Sequence, residues 1–460
     1  MTHVVEVAYI VAAVCFVLAL KWLSAVPTAR RGVLVGVVGM ALAVGGTLLR
    51  PEIESYRFIA VAFVLGSVIG VPMAMMPMTA VPQRTALSHA FGALAAALVG
   101  TAEYFLRKDT IDRVVMGALG IEVLLGFLTF TASLMAFGKL QEVLPQRPIT
   151  FRGQNVLNLS ILGLGVALAV ALVVWPNQPT AFLVMAGSAL VFGVLLIVPI
   201  GGADMPTVIS LLNSYAGLSA AAMGFVLDNK LLIIAGALDG SSGFILSVIM
   251  CRAMNRSFAN VLFGAFGQVQ ASAASKGRKD HRSASAEEAA GILASSRSVM
   301  IVPGYGMAVA QAQHKVKELM DLLLRAGVQV RFAIHPVAGR MPGHMNVLLA
   351  EANIPYDRLL DLEEANSELP LTDVALVIGA NDVTNPAARH DETSPIYGMP
   401  ILDVDKARTV MVIKRSLNPG FAGIDNELYY LNQTLMLFGD AKAFVTDLVK
   451  ALAEEQRQAA

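Results

Sequence analysis

The sequence predicts a polytopic α-helical membrane domain of about nine spans, followed by an α/β, Rossmann-like domain with a doubly wound parallel sheet. Residues 1–252 form a series of long apolar segments, which is typical of membrane helices. Residues 290–460 alternate short apolar runs with helical patterns, which is typical of parallel sheets. The glycine turn Gly304-Tyr305-Gly306 lies between the first of these runs and the helical pattern after it. Residues 253–289 are then a linker between two domains.

The composition agrees with a membrane protein. Of the 460 residues, 56% are hydrophobic and 15% are charged, which is too apolar for a wholly soluble chain. The 34 basic and 34 acidic residues balance, so no nucleic-acid partner is expected. The two cysteines, Cys15 and Cys251, lie in apolar stretches, and no CxxC or His/Cys cluster predicts a disulfide or a metal site. No basic segment precedes the first apolar run, so no secretory signal is expected.

Each predicted span has close to the roughly 20 apolar residues that cross a bilayer. Pro72 and Pro77 predict a kink near the end of the third span. Asp204 and Asn213 make the eighth the least apolar. The predicted spans are 4–23, 32–49, 58–79, 87–106, 114–137, 156–175, 180–200, 205–227 and 231–251.

The distribution of basic residues predicts that the C-terminal domain lies in the cytoplasm. An odd number of spans puts the two termini on opposite sides of the lipid bilayer. With the N-terminus outside, nine basic residues fall on inner segments and six on outer ones, as the positive-inside rule favours. The inner residues are Lys21, Arg30, Arg31, Arg84, Lys139, Arg147, Arg152, Arg252 and Arg256, and the outer ones are Arg50, Arg57, Arg107, Lys108, Arg113 and Lys230.

Five polar residues inside the spans are candidates for a proton path. Each costs free energy in the membrane unless it is paired or hydrated. His89 and Asn213 lie in inner halves of their spans, Asp204 at the inner start of the eighth, and Glu122 and Asp239 about two turns from outer ends. The set samples both leaflets, as a proton relay requires. The alternative is that each residue fixes helix packing, and this is weakest for His89 with Asn213, because histidine titrates near neutrality.

The residues after the ninth span form the predicted linker and then the strands and helices of the soluble half. Residues 270–286 are rich in Ala, Ser, Lys and Arg, which predicts a flexible connector. Val374-Ala-Leu-Val-Ile378 is a continuous apolar run, as expected of a buried parallel strand. The predicted strands are 298–302, 328–334, 374–379 and 409–414, and the predicted helices are 308–326, 344–352 and 440–455.

The first strand, turn and helix predict a dinucleotide site. Gly304-Tyr-Gly306-Met-Ala308-Val309-Ala310 has the form GxGxxxA, in which glycines let a pyrophosphate approach backbone N–H groups at a helix N-terminus. The second strand runs into His335 without the acidic residue of an NAD site. Lys414-Arg415-Ser416, after a later strand, offers cations for a 2′-phosphate, and the alternative is a solvated strand end. The pattern favours NADP over NAD.

Two further loops are candidates for ligand contact. Residues 335–344 are rich in Gly, Pro and His, and residues 379–386 follow the central strand at its carboxyl end, where open α/β sheets bind ligands. Simple turn chemistry is the alternative for each loop. Because both are expected beside the glycine turn at one sheet edge, a ligand site is the better interpretation.

At these residues the chain resembles the beta subunit of proton-translocating NAD(P) transhydrogenase. The segments that carry the resemblance are 201–217, 250–256, 303–310, 335–346, 379–386 and 414–416. The resemblance implies a Re/Si-specific transhydrogenase, with a proton-conducting membrane domain over 1–252 and a cytosolic NADP(H)-binding domain over 290–460. It also implies an alpha subunit that carries the NAD(H) site, a symmetric dimer of protomers, and a bacterial inner membrane.

The resemblance also implies roles for individual residues. His89 and Asn213 match the family's proton path, Asp382 the acid near the nicotinamide, and Arg415 the ligand of the 2′-phosphate. Asp239 matches no family hallmark, and in the family the nucleotide lies reversed on the sheet. The residues expected to bind the cofactor are Gly304, Tyr305, Gly306, Ala308, Val309, Ala310, His335, Gly379, Asn381, Asp382, Lys414, Arg415, Ser416, Gly420 and Asp425, of which 420–425 match a segment that folds over the nucleotide.

The expected activity is reversible hydride transfer from NADH on the partner to NADP⁺ on this chain, driven by inward proton flow. One alternative is a transporter or channel with a nucleotide-sensing domain, which needs a pore loop or broken-helix ion site and an acid at the end of the second strand. Another is a membrane-anchored quinone reductase, which needs flavin, haem or iron–sulfur ligands. The sequence has none of these patterns.

Overall fold

The computed structural model describes residues 2–459 except 52, 54, 147, 256, 259–279 and 421. Arg147, Arg256 and most of the predicted linker therefore lie outside the described residues. In the part of the chain that is described, nine helices are long and apolar enough to cross a membrane, as predicted. They are α1 (Thr2–Leu23), α2 (Val26–Leu48), α3 (Tyr56–Ala74), α4 (Val81–Arg107), α5 (Arg113–Leu140), α6 (Gln154–Val174), α7 (Pro179–Ile197), α8 (Met205–Val226) and α9 (Lys230–Ala253).

The third span is shorter than predicted. Pro72 lies inside α3, which ends at Ala74 rather than near residue 79. Pro77 then precedes a short 3-10 turn, Met78–Ala80, and α4 begins at Val81. Proline disfavours helical geometry in the residue before it, so Pro77 ends the helix here instead of kinking it. The turn between α3 and α4 is one of the places that the sheet domain contacts.

Small residues bring α8 and α9 into backbone contact. A Cβ at Gly217 would lie 2.2 Å from the backbone nitrogen of Gly240, and one at Gly236 would lie 2.4 Å from that of Ala221. Ser214 Oγ donates across the same interface to Gly240 O over 2.9 Å. Close packing of small residues is how membrane helices associate without a hydrophobic driving force. This contact fixes the position of Asn213 on α8 relative to α9.

The C-terminal domain contains a seven-stranded parallel sheet in the order β1-β7-β6-β5-β2-β3-β4, which confirms the doubly wound prediction. The strands are β1 (Arg282–Ser283), β2 (Ser298–Pro303), β3 (Gln329–Ala333), β4 (Leu359–Leu360), β5 (Val374–Ile378), β6 (Thr409–Lys414) and β7 (Thr434–Phe438). The helices are α10 (Ala286–Ser295), α11 (Tyr305–Val309), α12 (Gln313–Arg325), α13 (His344–Glu351), α14 (Leu362–Glu368), α15 (Ala387–His390) and α16 (Ala441–Ala459).

Several elements differ from the sequence prediction. The predicted helix 308–326 is two helices, α11 and α12, because the chain turns at Gln311, which has a φ of 51°. Ala312 N donates to Met307 O over 3.0 Å and closes this turn. The strands β1, β4 and β7 were not predicted. β1 and the first turn of α10 lie in the stretch assigned to the linker, and the Ser285–Glu288 capping box starts α10 there.

The chain reverses its direction of winding between β2 and β5. From β2 it adds β3 and β4 on one side, and from β5 it adds β6 and β7 on the other. Pro303 at the end of β2 is the register partner of Ile378 at the end of β5. In open α/β sheets, ligands bind at the carboxyl ends of the strands at such a switch point. The fold therefore places the predicted glycine turn and the 379–386 loop together.

The sheet domain rests on one end of the membrane helices. Met78, in the turn before α4, packs against the core of the sheet domain. Met341 of the sheet domain packs in return against a core cluster of α4, α5, α7 and α8. Asn255, just after α9, donates from Nδ2 to Tyr397 O over 2.8 Å. The two domains therefore touch on the side where α3, α5, α7 and α9 end.

Candidate functional site

The glycine turn packs directly on the loop after β5. A Cβ at Gly304 would lie 2.4 Å from backbone atoms of Ala380, and one at Gly306 would lie 2.7 Å from Gly379 Cα. Gly306 N donates to Gly379 O over 3.0 Å. Gly379 has a φ of +68°, which glycine adopts without strain. Residues larger than glycine would separate these two loops. The glycines are therefore needed for the loops after β2 and β5 to pack together at the switch point.

The turn leads straight into α11, the helix that carries the rest of the predicted motif. Ala308 is buried, Tyr305 and Ala310 are partly buried, and Val309 is exposed. The N-terminus of α11 therefore lies at the switch point, where Gly306 N donates to Gly379 O and Met307 N donates to Gly304 O.

Asp382 contacts Gly420 and Ala422 of the 420–425 segment, which the resemblance implies folds over a nucleotide and which is called the covering segment below. Its Oδ2 accepts from Ala422 N over 3.1 Å, and a Cβ at Gly420 would lie 2.9 Å from its Oδ1. Burial raises the pKa of Asp382 to about 6, although the hydrogen bond from Ala422 and the charge of Lys414 oppose the shift. The carboxyl group therefore titrates near neutral pH rather than near its usual value.

Two buried polar atoms at the switch point have no hydrogen-bond partner among the described residues. They are Asn381 Nδ2 and Asp382 Oδ1. Buried polar atoms without partners are uncommon in proteins, and a bound ligand is one reason for them. One amide donor and one titratable oxygen side by side fit the carboxamide end of a nicotinamide nucleotide. The residues present are thus compatible with the cofactor that the resemblance implies.

A hydrogen-bond network that the sequence analysis missed holds Asn381. Its Oδ1 accepts from Tyr429 Oη over 2.7 Å and from Asn426 Nδ2 over 3.0 Å. Asn385 Nδ2 donates to Asp425 O over 3.0 Å, and Tyr430 Oη donates to Asp425 Oδ1 over the same distance. Asp425 therefore anchors the covering segment to the loop after β5. No sequence signal marked Asn426 or Tyr429.

The basic segment lies at the end of β6, beside the switch point. Lys414 Nζ donates to Asn418 O and lies 4.8 Å from the ring centroid of Tyr429. Burial lowers the pKa of Lys414, although Asp382 and Asp425 oppose the shift. Arg415 is exposed and Ser416 is partly buried, so both remain open to a ligand. The predicted 2′-phosphate residues and Asp382 thus share one edge of the sheet.

His335 is placed differently from the other predicted cofactor residues. It is 1% exposed, and its Nε2 is 2.8 Å from Pro400 O while its Nδ1 accepts from Val337 N over 3.2 Å. Burial lowers the pKa of His335 to about 4, so the ring is neutral near pH 7. Both ring nitrogens are used within the protein, and the side chain acts by shaping the 335–344 loop.

Three of the five membrane candidates meet in one cluster. The side chain of His89 on α4 lies beside that of Asn213 on α8. Asn213 Nδ2 also lies 3.3 Å from Asp239 Oδ1 on α9. Asn213 therefore links a histidine and a carboxyl group that sit on different helices. His89 also lines an open cavity of about 410 Å³ with Arg84 and Ser88, between α3 and α4.

The other two candidates lie at different depths. Asp204 is buried just before α8, about 13 Å along the helix axis from Asn213. Glu122 on α5 is 0% exposed and packs against Gly100 of α4, where a Cβ would lie 2.8 Å from its Cδ. Gly100 is about 16 Å along α4 from His89. The described structure therefore brings His89, Asn213 and Asp239 together but not Asp204 or Glu122.

Comparison with known proteins identifies the family of the chain. The family described as NAD(P) transhydrogenase beta subunit matches residues 5–451. Two relatives named NAD(P) transhydrogenase subunit beta, one from Rhodospirillum rubrum and one from a designated strain of that species, are each 51% identical over 465 residues. Each alignment covers 98% of this chain and 100% of the relative. The chain therefore belongs to the NAD(P) transhydrogenase beta subunit family.

Proposed function

We propose that this chain binds NADP(H) and conducts protons, and that with an alpha subunit it couples hydride transfer from NADH to NADP⁺ to inward proton flow. The observation that carries the proposal is that one chain contains two different sites. A polar cluster lies inside the membrane helices, and a dinucleotide-type switch point lies in the sheet domain that rests on them. The family membership supports the same activity.

Different residues at the switch point bind different parts of the nucleotide. Gly304 and Gly306 admit the pyrophosphate, with Tyr305 and α11 beside it, while Lys414, Arg415 and Ser416 bind the 2′-phosphate. Asn381 and Asp382 face the nicotinamide, and Gly420 and Asp425 belong to the covering segment. When bound, the nicotinamide supplies the hydride chemistry, and the chain binds, orients and shields it.

The membrane cluster carries the proton. His89 takes up and releases it, because imidazole changes charge near neutral pH. Asn213 lies between the histidine and Asp239. It orients the histidine, and its Nδ2 donates to Asp239 Oδ1. Asp204 lies on the route towards the sheet domain, and Glu122 lies on the route towards the opposite face. The order of these transfers follows the depth of each group along α4, α5 and α8.

The second nucleotide must be supplied by another chain. Among its described residues the sheet domain has one switch point, whereas hydride transfer needs both a donor nucleotide and an acceptor nucleotide. An alpha subunit with the NAD(H) site supplies the donor, in a symmetric dimer of protomers in the bacterial inner membrane. The sheet domain faces the cytoplasm, which the bias of basic residues and the location of the nucleotide pool support. We also propose Re/Si-specific transfer, which stereospecifically deuterated nucleotides test directly.

The test uses the full chain with its alpha subunit in lipid vesicles. Addition of NADH and NADP⁺ should produce NADPH together with a change in internal pH, and an imposed pH gradient should change the rate. His89→Ala should abolish the pH change and retain NADPH binding, whereas Ser88→Ala, one residue away, should behave as the parent. Hydride transfer without any proton movement would contradict the proposal, and ion flux without hydride transfer would favour the transporter alternative.

A further inference from the structure

Arg340 is a buried cation at the boundary between the two domains. It belongs to the 335–344 loop of the sheet domain and is 1% exposed. Its Nη1 donates to Leu140 O, the last residue of α5, over 3.4 Å. Its Nη2 donates to Gln146 Oε1 over 3.0 Å, and Glu142 Oε1 is 3.8 Å away. Burying a guanidinium group costs free energy unless the group is hydrogen-bonded. The hydrogen bonds to Leu140 and Gln146 therefore stabilise Arg340 in this buried position.

The same guanidinium group contacts the nucleotide site. Arg340 Cζ lies 4.1 Å from the ring centroid of Tyr305, which is the middle residue of the glycine turn. A cation over an aromatic face at this distance is attracted by it. One side chain therefore touches the turn at the end of β2 and the end of a membrane helix. The glycine turn cannot move far without moving Arg340 or breaking this contact.

The membrane end of the contact lies close to the proton cluster. Leu140 O accepts a second hydrogen bond from Gln83 Nε2, also over 3.4 Å. Gln83 lies in the first turn of α4, six residues and about 9 Å before His89 along the helix. The end of α5, the start of α4 and Arg340 therefore meet at one carbonyl oxygen.

The loop around Arg340 is held in shape by His344. Arg340 N donates to His344 Nδ1 over 3.1 Å, and the His344 ring lies beside the backbone of Thr79, just before α4. Gly339 has a φ of +107°, and a Cβ there would lie 2.6 Å from the His344 ring. Burial and then the charge of Arg340 lower the pKa of His344 to about 4. The ring is therefore neutral near pH 7, and its Nδ1 is free to accept.

We propose that Arg340 is a positioning residue for coupling, which holds the glycine turn of the nucleotide site against the inner ends of α4 and α5. Movement of the turn then displaces the helix end that leads to His89, and movement of that helix end displaces the turn. Coupling between distant sites needs such a physical link, with two arrangements that both sites bias. The inference rests on the proposed function, because it gives the route between its two sites.

The test compares Arg340→Met with Arg331→Met in the full chain with its alpha subunit in vesicles. Arg331 is a half-exposed arginine on β3 that pairs with Glu368 over 2.9 Å within the sheet domain. The readout is the response of hydride transfer to an imposed pH gradient, at saturating NADPH. Arg340→Met should reduce the response on the order of tenfold, the scale of a typical coupling between sites, and Arg331→Met should leave it as in the parent.

Gln146→Met separates coupling from nucleotide binding and removes no buried charge. It should reduce the gradient response without changing NADPH affinity, and the double variant with Arg340→Met should be no worse than Arg340→Met alone. Additive losses, or an unchanged response in Gln146→Met, would overturn the inference. So would an Arg340→Met variant that only weakens NADPH binding. A parent chain with no gradient response would instead contradict the proposed function, and the inference with it.

Discussion

Asn213 joins His89 to Asp239. Its Nδ2 lies 3.3 Å from Asp239 Oδ1, and its side chain lies beside that of His89. The three residues come from α8, α9 and α4, so the cluster forms only when these helices pack. Asp239 matched no motif in the sequence, and the contact with Asn213 is what assigns it to the cluster.

We predict that Asp239→Asn slows proton translocation and retains NADPH binding. Asparagine keeps the shape of aspartate and accepts from Asn213, but it cannot ionise or carry a proton. The rate of the pH change during NADH to NADP⁺ transfer in vesicles should fall by at least about tenfold, as for loss of one proton-transfer group. Asp228→Asn is the matched control, because Asp228 lies in the turn between α8 and α9 and tolerates asparagine at its φ of 48°. Parent-like pumping by Asp239→Asn would remove Asp239 from the path.

Arg415→Ala should weaken NADPH binding by roughly 1.5–3 kcal/mol, the scale of a charge-assisted hydrogen bond. Arg415 is exposed at the carboxyl end of β6, next to the switch point. Affinity for NADH should change little, because NADH has no 2′-phosphate. Calorimetry on the full chain measures both. Arg408→Ala, just before β6 at the opposite sheet edge, is the control, and equal affinity of the parent for NADH and NADPH would contradict the assignment.

Asp382→Asn should remove a pH dependence from nucleotide binding. The pKa of Asp382 is raised to about 6, so its carboxyl group is protonated below that pH and ionised above it. Oxidised nicotinamide is cationic and favours the carboxylate, whereas the reduced ring does not. The ratio of NADP⁺ affinity to NADPH affinity should therefore rise from about pH 5 to about pH 7 and level off above.

The control for this prediction is Asp357→Asn, an exposed acid in a 3-10 turn of the same domain. It should keep the rise in the affinity ratio, and Asp382→Asn should show a ratio that does not depend on pH. The measurement is the dissociation constant of each nucleotide at several pH values. If the parent and Asp382→Asn gave the same pH profile, Asp382 would only support the turn after β5.

The sequence was sufficient for the features that repeat along the chain or follow from strand order. Length and apolarity predicted the nine spans, and the alternation of strands and helices predicted the parallel sheet. Because carboxyl ends of parallel strands share one edge, the glycine turn and the 379–386 loop had to meet there. The pairing of Pro303 with Ile378 confirms that meeting.

What the sequence did not predict depends on contacts between distant residues. Tyr429 reaches Asn381 across 48 positions, and Arg340 reaches Leu140 across 200. Neither contact leaves a periodic signal, and an arginine in a Gly- and Pro-rich loop looks like a solvated one. The break at Gln311 has no glycine or proline at that residue, so tertiary packing sets it. The short edge strands β1 and β4 have two residues each, too few for a pattern.

Gly217→Ala should destabilise the membrane domain by about 1–3 kcal/mol, the usual cost of overpacking a close interface. The new Cβ would lie 2.2 Å from the backbone nitrogen of Gly240, so α8 and α9 must separate. Gly163→Ala in α6 is the control, because its Cβ would have nothing within 4 Å and alanine favours a helix more than glycine does. Thermal unfolding of the full chain in detergent should show a lower midpoint for Gly217→Ala and an equal or higher one for Gly163→Ala.

Separation of the helices would also lengthen the Asn213–Asp239 contact, so Gly217→Ala should slow proton translocation in vesicles. Equal midpoints and parent-like pumping for both variants would mean that the α8–α9 contact does not set the geometry of the cluster.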